Sequence, residues 1–224
     1  MQTIENLPNF LNKNKNIPEI EHQVGRYINI CKIANEITAN DIDEVIVEFG
    51  TYQGLGLLLL DLAFAKNRNN ANNNSSRKLV GIDSFNGLPE SSSIWSAGQF
   101  SDTSIQICRN ILLKYMDPKS SFELISCDFK DSNLVNKLIH YSNAVVFHFD
   151  ADLGSSTAQA LFITQHLLER AKSVYFLFDD WGCHSNEVPD AFYNWFIENS
   201  AKLNMHATKI SFTKYSRYYR IDSN

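Results

Sequence analysis

The chain has 224 residues, of which 44% are hydrophobic, and a net charge of −5. That length and apolar content suit one α/β domain with a full core and exclude a disordered chain, and an acidic chain with no basic face is a poor match for nucleic acid. No apolar run reaches the length of a membrane span, and the opening MQTIENLPNF lacks a secretory pattern; four widely spaced cysteines (Cys31, Cys108, Cys127, Cys183) without a C-x-x-C imply reduced thiols and a cytoplasmic location.

Residues 1–18 are polar and Asn-rich, with Pro8 and Pro18, and read as an arm, free to order against a neighbour if the protein is a homodimer. From Pro18 to Ala39 the apolar spacing (Ile20, Val24, Tyr27, Ile28, Cys31, Ile33, Ile37) predicts a helix that covers the front of the domain. Residues 1–40 are thus an arm and cover, and 41–224 one domain. Strand Val45–Phe49 leads through Gly50–Gly54 into a helix to about Lys66, and polar Asn67–Arg77 reads as a surface loop. Strand Lys78–Asp83 is followed by irregular Ser84–Phe100 and a helix over about Asp102–Met116. Strand Phe122–Cys127, helix Asp131–Ile139, strand Ala144–Phe149, helix Ser155–Arg170, strand Ser173–Phe178 and helix Glu187–Asn199 continue the alternation. Thr208–Thr213 and Arg217–Ile221 around Lys214–Ser216 read as a terminal hairpin.

Alternating strands and helices predict an α/β fold: a mostly parallel seven-stranded sheet, helices on both faces, and a C-terminal hairpin adding one antiparallel strand. Right-handed crossovers put all parallel strands' carboxyl ends on one edge, where ligands bind. Five strands end on or beside acidic residues: VIVEFG (45–50), LVGID (79–83), FELISCD (122–128), AVVFHFDAD (144–152) and VYFLFDD (174–180). An unpaired buried carboxylate is costly, so this repetition points to one acidic crevice.

The pattern Glu48-Phe-Gly50-x-x-x-Gly54 lets backbone approach a ligand. It departs from G-x-G-x-x-G, which weakens a dinucleotide reading; S-adenosylmethionine has no phosphate and carries an ammonium group that Glu48 could meet, directly or through water. A plain tight turn is the alternative. Asp83 ends the second strand, where an acidic residue commonly accepts from the hydroxyls of a ribose; the alternative is a cap for the turn Asp83–Gly87. Asp150, Asp152, Asp179 and Asp180 repel one another unless something positive sits among them. Their hard oxygens suit Mg²⁺, Mn²⁺ or Ca²⁺, with Asp150, Asp179 and Asp180 the expected ligands and Asp152 a cap or loop anchor.

The blocks VEFGTYQG, GIDSFNGLPE, CDFKDS, HFDADLGSSTAQAL and FLFDDWG, from about Val45 to Phe196, resemble the macrocin O-methyltransferase family. The resemblance implies a Rossmann-like class I methyltransferase fold and metal-assisted methyl transfer from S-adenosyl-L-methionine to a sugar hydroxyl. It places Glu48, Gly50 and Gly54 at the methionine end of the cofactor, Asp83 and Ser84 at the ribose, Asp128 and Phe129 at the adenine, and Mg²⁺ on Asp150, Asp179 and Asp180. Gly154 stands where family members often carry Tyr. For the base, Asp150 comes first, with His148 and His184 as alternatives. Trp95, Phe100 and Trp181 are either stacking or anchoring aromatics, whereas Phe192, Trp195 and Phe196 are expected in the core. A catechol-like diol as acceptor, an NAD-dependent oxidoreductase on a related fold, and a non-catalytic binding protein stay open as alternatives.

Overall fold

The computed structural model describes residues 18–37, 44–71, 77–168, 173–182 and 185–223. Helix α1 (Pro18–Ile37) precedes β1 (Glu44–Phe49), α2 (Leu55–Ala71), β2 (Arg77–Asp83), α3 (Ile105–Tyr115) and β3 (Ser120–Ser126). Then come α4 (Leu134–Leu138, continued by one 3₁₀ turn to Tyr141), β4 (Ala144–Phe149), α5 (Gly154–Leu168), β5 (Ser173–Phe178), α6 (Glu187–Asn199), β6 (Met205–Phe212) and β7 (Arg217–Ser223). One seven-stranded sheet runs in the order β3-β2-β1-β4-β5-β7-β6. Strands β1 to β5 pair in parallel, and β7 inserts antiparallel between β5 and β6. The strand order reverses between β1 and β4, which makes their carboxyl ends the switch point of the sheet. The mostly parallel sheet with a terminal antiparallel hairpin is the one expected from the alternation.

Strand alternation separates two cores. Val47, Phe49, Val80, Ile82, Phe147, Phe149, Phe176 and Phe178 pack with residues of α4, α5 and α6. On the other face Ile46, Leu79, Val146 and Leu177 pack with α1, α2 and α3. By the same alternation Glu48, Asp83, His148, Asp150 and Asp179 project to the α1–α2–α3 face. Trp195 and Phe192 lie in the first core as expected, and Trp181 joins them, packed among Phe178, Phe192, Tyr193 and Tyr219. Trp181 is therefore a core aromatic.

Several local expectations are corrected. Helix α1 buries Ile33 and Ile37 as the apolar spacing expects, but also Arg26, Asn29, Ile30 and Ala34, while Ile28 is exposed. Asn67–Ala71 continues α2 and Arg77 is the buried first residue of β2, so the expected loop shrinks from both ends. Helix α3 starts later than expected, at Ile105, because the Ser104 side chain accepts from Ile107 N and caps it. The N-terminal arm up to residue 17, residues 72–76, Glu169, Arg170, Cys183 and His184 lie outside the described residues. Cys31, Cys108 and Cys127 are free thiols. No helix among the described residues is long and apolar enough to cross a membrane.

The end of the sheet opposite the crevice is tied by a buried ion pair. Arg77 Nη1 donates to Asp61 Oδ1 and to its carbonyl, both at 3.0 Å, while Asp117 N and Ser120 Oγ donate to the same carboxylate. Removing one partner of a buried pair strands the other charge, at a cost of about 3–5 kcal/mol. Asp61→Ala is expected to lower unfolding free energy by about that much in denaturant titration, and Asp61→Asn by less.

Candidate active site

The carboxyl ends of four strands form one row. Phe49 is level with Ile82 and Phe149, and Phe149 with Phe178. One residue further on, Gly50 N donates to Ile82 O, Asp150 N to Phe49 O and Asp179 N to Phe149 O, each at 2.9 Å. Asp83, Gly50, Asp150 and Asp179 therefore stand side by side. Gly50 is needed there: its φ is 90°, and a Cβ would overlap the carbonyl oxygen of Asp150.

Asp83 organises the left of the row. Its Oδ2 accepts from Tyr52 N and its Oδ1 from Phe85 N, both at 2.7 Å. Tyr52 and Phe85 have left-handed backbones (φ 47° and 55°), which cost non-glycine residues about 1–3 kcal/mol each. Charge-assisted bonds to Asp83 offset that cost. Ser84 accepts from Asn86 N, Asp128 accepts from Lys130 N, and Phe129 stands edge-on to Phe49 at 5.5 Å. A wall of aromatics adjoins them, with Phe100 at 5.5 Å from Tyr52 and 5.4 Å from Trp95. The segment from Ser84 is folded on itself, since Leu88 N donates to Gln99 O and Gly98 N to Leu88 O. Ser155 Oγ donates to Glu90 and ties this loop to the start of α5.

To the right the carboxylates meet cations from α1. Arg26 Nη1 donates to Asp150 Oδ2 at 2.5 Å and to Asp179 Oδ2 at 2.9 Å, and its Nη2 donates to Gln23. His22 Nε2 donates to Asp179 Oδ1 at 2.8 Å and lies 3.9 Å from Asp180 Oδ1. Burial alone raises a carboxyl pKa, but Arg26 and the His22 bond outweigh it at Asp179 and hold it below the usual range. Burial pushes Asp150 up to about 7, with Arg26 opposing and Asp179 assisting. Burial, then Asp180 and Asp150, push Asp152 up to about 9, and burial and Asp179 raise Asp180. Burial opposes protonation of His22, but Asp179 and Asp180 raise it above its ordinary value. Both motif loops bend through an aspartate in the left-handed region, Asp152 at φ 59° and Asp180 at 52°, a conformation Asp tolerates better than most residues.

Beneath the row lies a sealed pair. Glu48 and His148 face each other across β1 and β4, and His148 Nδ1 is hydrogen-bonded to Glu48 Oε1 at 2.9 Å. Both side chains are 0% exposed. Burial pushes Glu48 up to about 8 and His148 down to about 4, so both shifts favour uncharged forms. Glu48 fits because α2 carries Gly56 opposite it; a Cβ there would overlap Glu48 Oε1.

A cavity of ≈ 1060 Å³ joins these parts. Of the sequence-predicted residues, Gly50, Asp83, Ser84, Asp128, Phe129, Asp150, Asp179 and Asp180 line it, as do Trp95 and Phe100. Glu48 and His148 lie under its floor. Gly54 is set in the turn with its Cα facing Cys108 and Leu112 of α3. His184 is outside the described residues. Sequence reasoning missed Arg26, His22 and Tyr215, all of which line the cavity. The spacing of His22 and Arg26, four apart on one face of a predicted cover helix, was the available signal. Asp150, Asp179 and Asp180 can each place an oxygen within 4.8 Å of the others, and Glu48, His148 and Asp150 form a second such group. The first donor set is all hard oxygen and fits a divalent cation in kind, with Arg26 and His22 holding the same carboxylates.

No family model matches the chain, and no curated protein matches it. Solved structures share its fold. The O-methyltransferase NovP matches at a TM-score of 0.64 and 19% identity, over 90% of this chain and 81% of NovP. The calicheamicin methyltransferase CalS11 matches at 0.60 and 19% identity, over 95% of this chain and 90% of that one; its apo form is described as a TDP-rhamnose 3′-O-methyltransferase. The methyltransferase PaMTH1 of Podospora anserina, solved with S-adenosylhomocysteine (SAH) bound, matches at 0.54 and 10% identity, over 100% of this chain and 88% of PaMTH1. At these identities the shared property is the Rossmann-like methyltransferase fold.

In most helices Gly→Ala stabilises by about 1 kcal/mol. Gly56→Ala is expected to do the reverse, by about 1–3 kcal/mol, because Glu48 cannot move aside without breaking its bond to His148. Thermal melts of wild type, Gly56→Ala and Gly56→Ala combined with Glu48→Ala check whether the loss comes from this contact.

Proposed function

We propose that this protein is an S-adenosylmethionine-dependent O-methyltransferase that methylates a hydroxyl of a sugar or glycosylated small molecule with help from a divalent cation. The observation that carries the reading is the single cavity in which an Asp83–Ser84–Asp128–Phe129 half adjoins an Asp150–Asp179–Asp180 half. Its volume admits a nucleoside cofactor and a small acceptor together. The sugar reading also draws on CalS11, described as acting on TDP-rhamnose.

In this reading Asp83, fixed by two backbone N–H groups, has lone pairs left for the two ribose hydroxyls. Asp128 and Phe129 flank the adenine, and Gly50 lets the methionine end approach the strand ends. Glu48 acts from beneath, as the buried support of that turn. The acceptor lies toward Asp150, and Trp95, Phe100 and Tyr52 form the wall beside the Asp83 half. Asp150 takes the hydroxyl proton at a carboxylate oxygen on the cavity wall. Holding the oxygen in line with the S–CH₃ bond can lower the barrier by about 7–11 kcal/mol in favourable cases. Asp150, Asp179 and Asp180 would hold the divalent cation, which when bound lowers the pKa of a coordinated hydroxyl and fixes its direction.

Calorimetry is expected to show binding of SAH and none of NADH; the opposite result removes the methyltransferase reading. Asp83→Ala should weaken SAH binding by roughly tenfold or more, the loss of one to two charge-assisted bonds. Asp179→Ala should abolish methyl transfer to a sugar acceptor while leaving SAH affinity within about threefold, well under 1.4 kcal/mol. Turnover that survives EDTA undiminished would refute the cation half of the proposal.

A further inference from the structure

Arg26 engages the acidic row in an unusual way. A buried arginine usually meets a carboxylate through two parallel N–H bonds. Here one nitrogen, Nη1, bridges Asp150 and Asp179, and Nε is buried with no acceptor. An unsatisfied buried donor costs about 1–3 kcal/mol. His148 Nε2, on a residue grouped with Asp150 as a possible ligand, is likewise buried and without a partner. The positive charge that Asp150 and Asp179 require is thus supplied, but the polar atoms around it are incompletely satisfied.

Helix α1 is also held unequally along its length. Its second half buries Ile30, Ile33, Ala34 and Ile37, and Glu36 accepts from both Tyr175 Oη and Tyr218 Oη at 2.9 and 3.0 Å. Each buried isoleucine contributes about 1.5–3 kcal/mol. The first half carries His22 and Arg26 on the carboxylates, with an exposed Glu21–Lys214 pair beside them, and exposed pairs contribute little. Gly25 is buried close against Thr213 and the His22 ring lies 5.1 Å from Tyr215, so the ionic contact is the part of this half's attachment that an ion can replace.

We propose that Arg26 and His22 are a chain-borne counter-cation which a divalent ion displaces, so that ion binding and docking of the first three turns of α1 exclude each other. This rests on the cation reading above and adds a consequence. His22, Gln23 and Arg26 line the cavity, so their withdrawal widens the acceptor side when the ion arrives. With no ion bound, the chain neutralises its own carboxylates and narrows the cavity.

The test uses Mn²⁺ as the probe on the full-length protein. Calorimetry should show Arg26→Met binding Mn²⁺ roughly tenfold tighter than wild type, within the usual span of coupling between exclusive states, and His22→Gln severalfold tighter. A purely structural Arg26 predicts the opposite, weaker binding by a disturbed site. In wild type, Mn²⁺ should raise amide hydrogen exchange over residues 21–28 and leave 30–37 unchanged. Should Arg26→Met fail to fold, the His22→Gln affinity and the wild-type exchange still decide. Equal Mn²⁺ affinity in wild type and variants, with unchanged exchange, overturns the displacement while sparing the cation reading. Absence of Mn²⁺ binding in every form overturns both, and SAH binding then shows whether the methyltransferase reading stands alone.

Discussion

The structure is organised around the cost of gathering carboxylates on one face at one end of a sheet. Strand register forces it: once Phe49, Ile82, Phe149 and Phe178 are level, Asp83, Asp150 and Asp179 must follow in the next row. Two like charges 4 Å apart repel by about 4 kcal/mol at an effective dielectric of 20. The protein answers in three ways. Backbone N–H groups hold Asp83, Arg26 and His22 hold Asp150 and Asp179, and burial favours the protonated forms of Glu48 and Asp152. The position of α1, the need for glycine at 50 and 56, and the shape of the cavity all follow from those answers.

Much of this was legible because it is one-dimensional. Strand and helix periods, and acidic residues at strand ends, are written in consecutive residues, and parallel pairing then fixes which ends meet. What stayed hidden depends on rotation or on partners distant in the chain. Arg26 is invisible as a site residue until α1 is docked, because apolar spacing alone picks Ile20, Val24 and Ile28 and gives no sign that the polar Arg26 and Asn29 turn inward. Glu48 and His148 were placed at the correct level of the strands, but their depth depends on Gly56 and on α1 closing over them. Asn67–Ala71 shows the reverse error: a poor helical composition is carried along by a helix already formed on buried Leu57, Leu60 and Phe64.

The two halves of the cavity differ in how firmly they are built. Around Asp83 the backbone itself is the ligand frame, with loop 84–104 bonded to itself and fastened to α5 through Glu90 and Ser155. Around Asp150 and Asp179 the frame is made of side chains on a separate helix. A nucleoside is a fixed shape and suits the first kind of wall. An acceptor that must enter, react and leave suits the second.

The attachment of α1 joins segments far apart in the chain. Asn29 bonds to Ser216 across 187 positions, and Glu36 to Tyr218 across 182. Contacts of such separation form late, since a long loop must close before they repay it. During synthesis α1 can pack on α2 and the first strands early, but its bonds to Ser216 and Tyr218 wait until β7 emerges. Residues made after every acidic strand end thus complete the fastening of the helix that carries Arg26, and a chain truncated before β7 lacks those bonds.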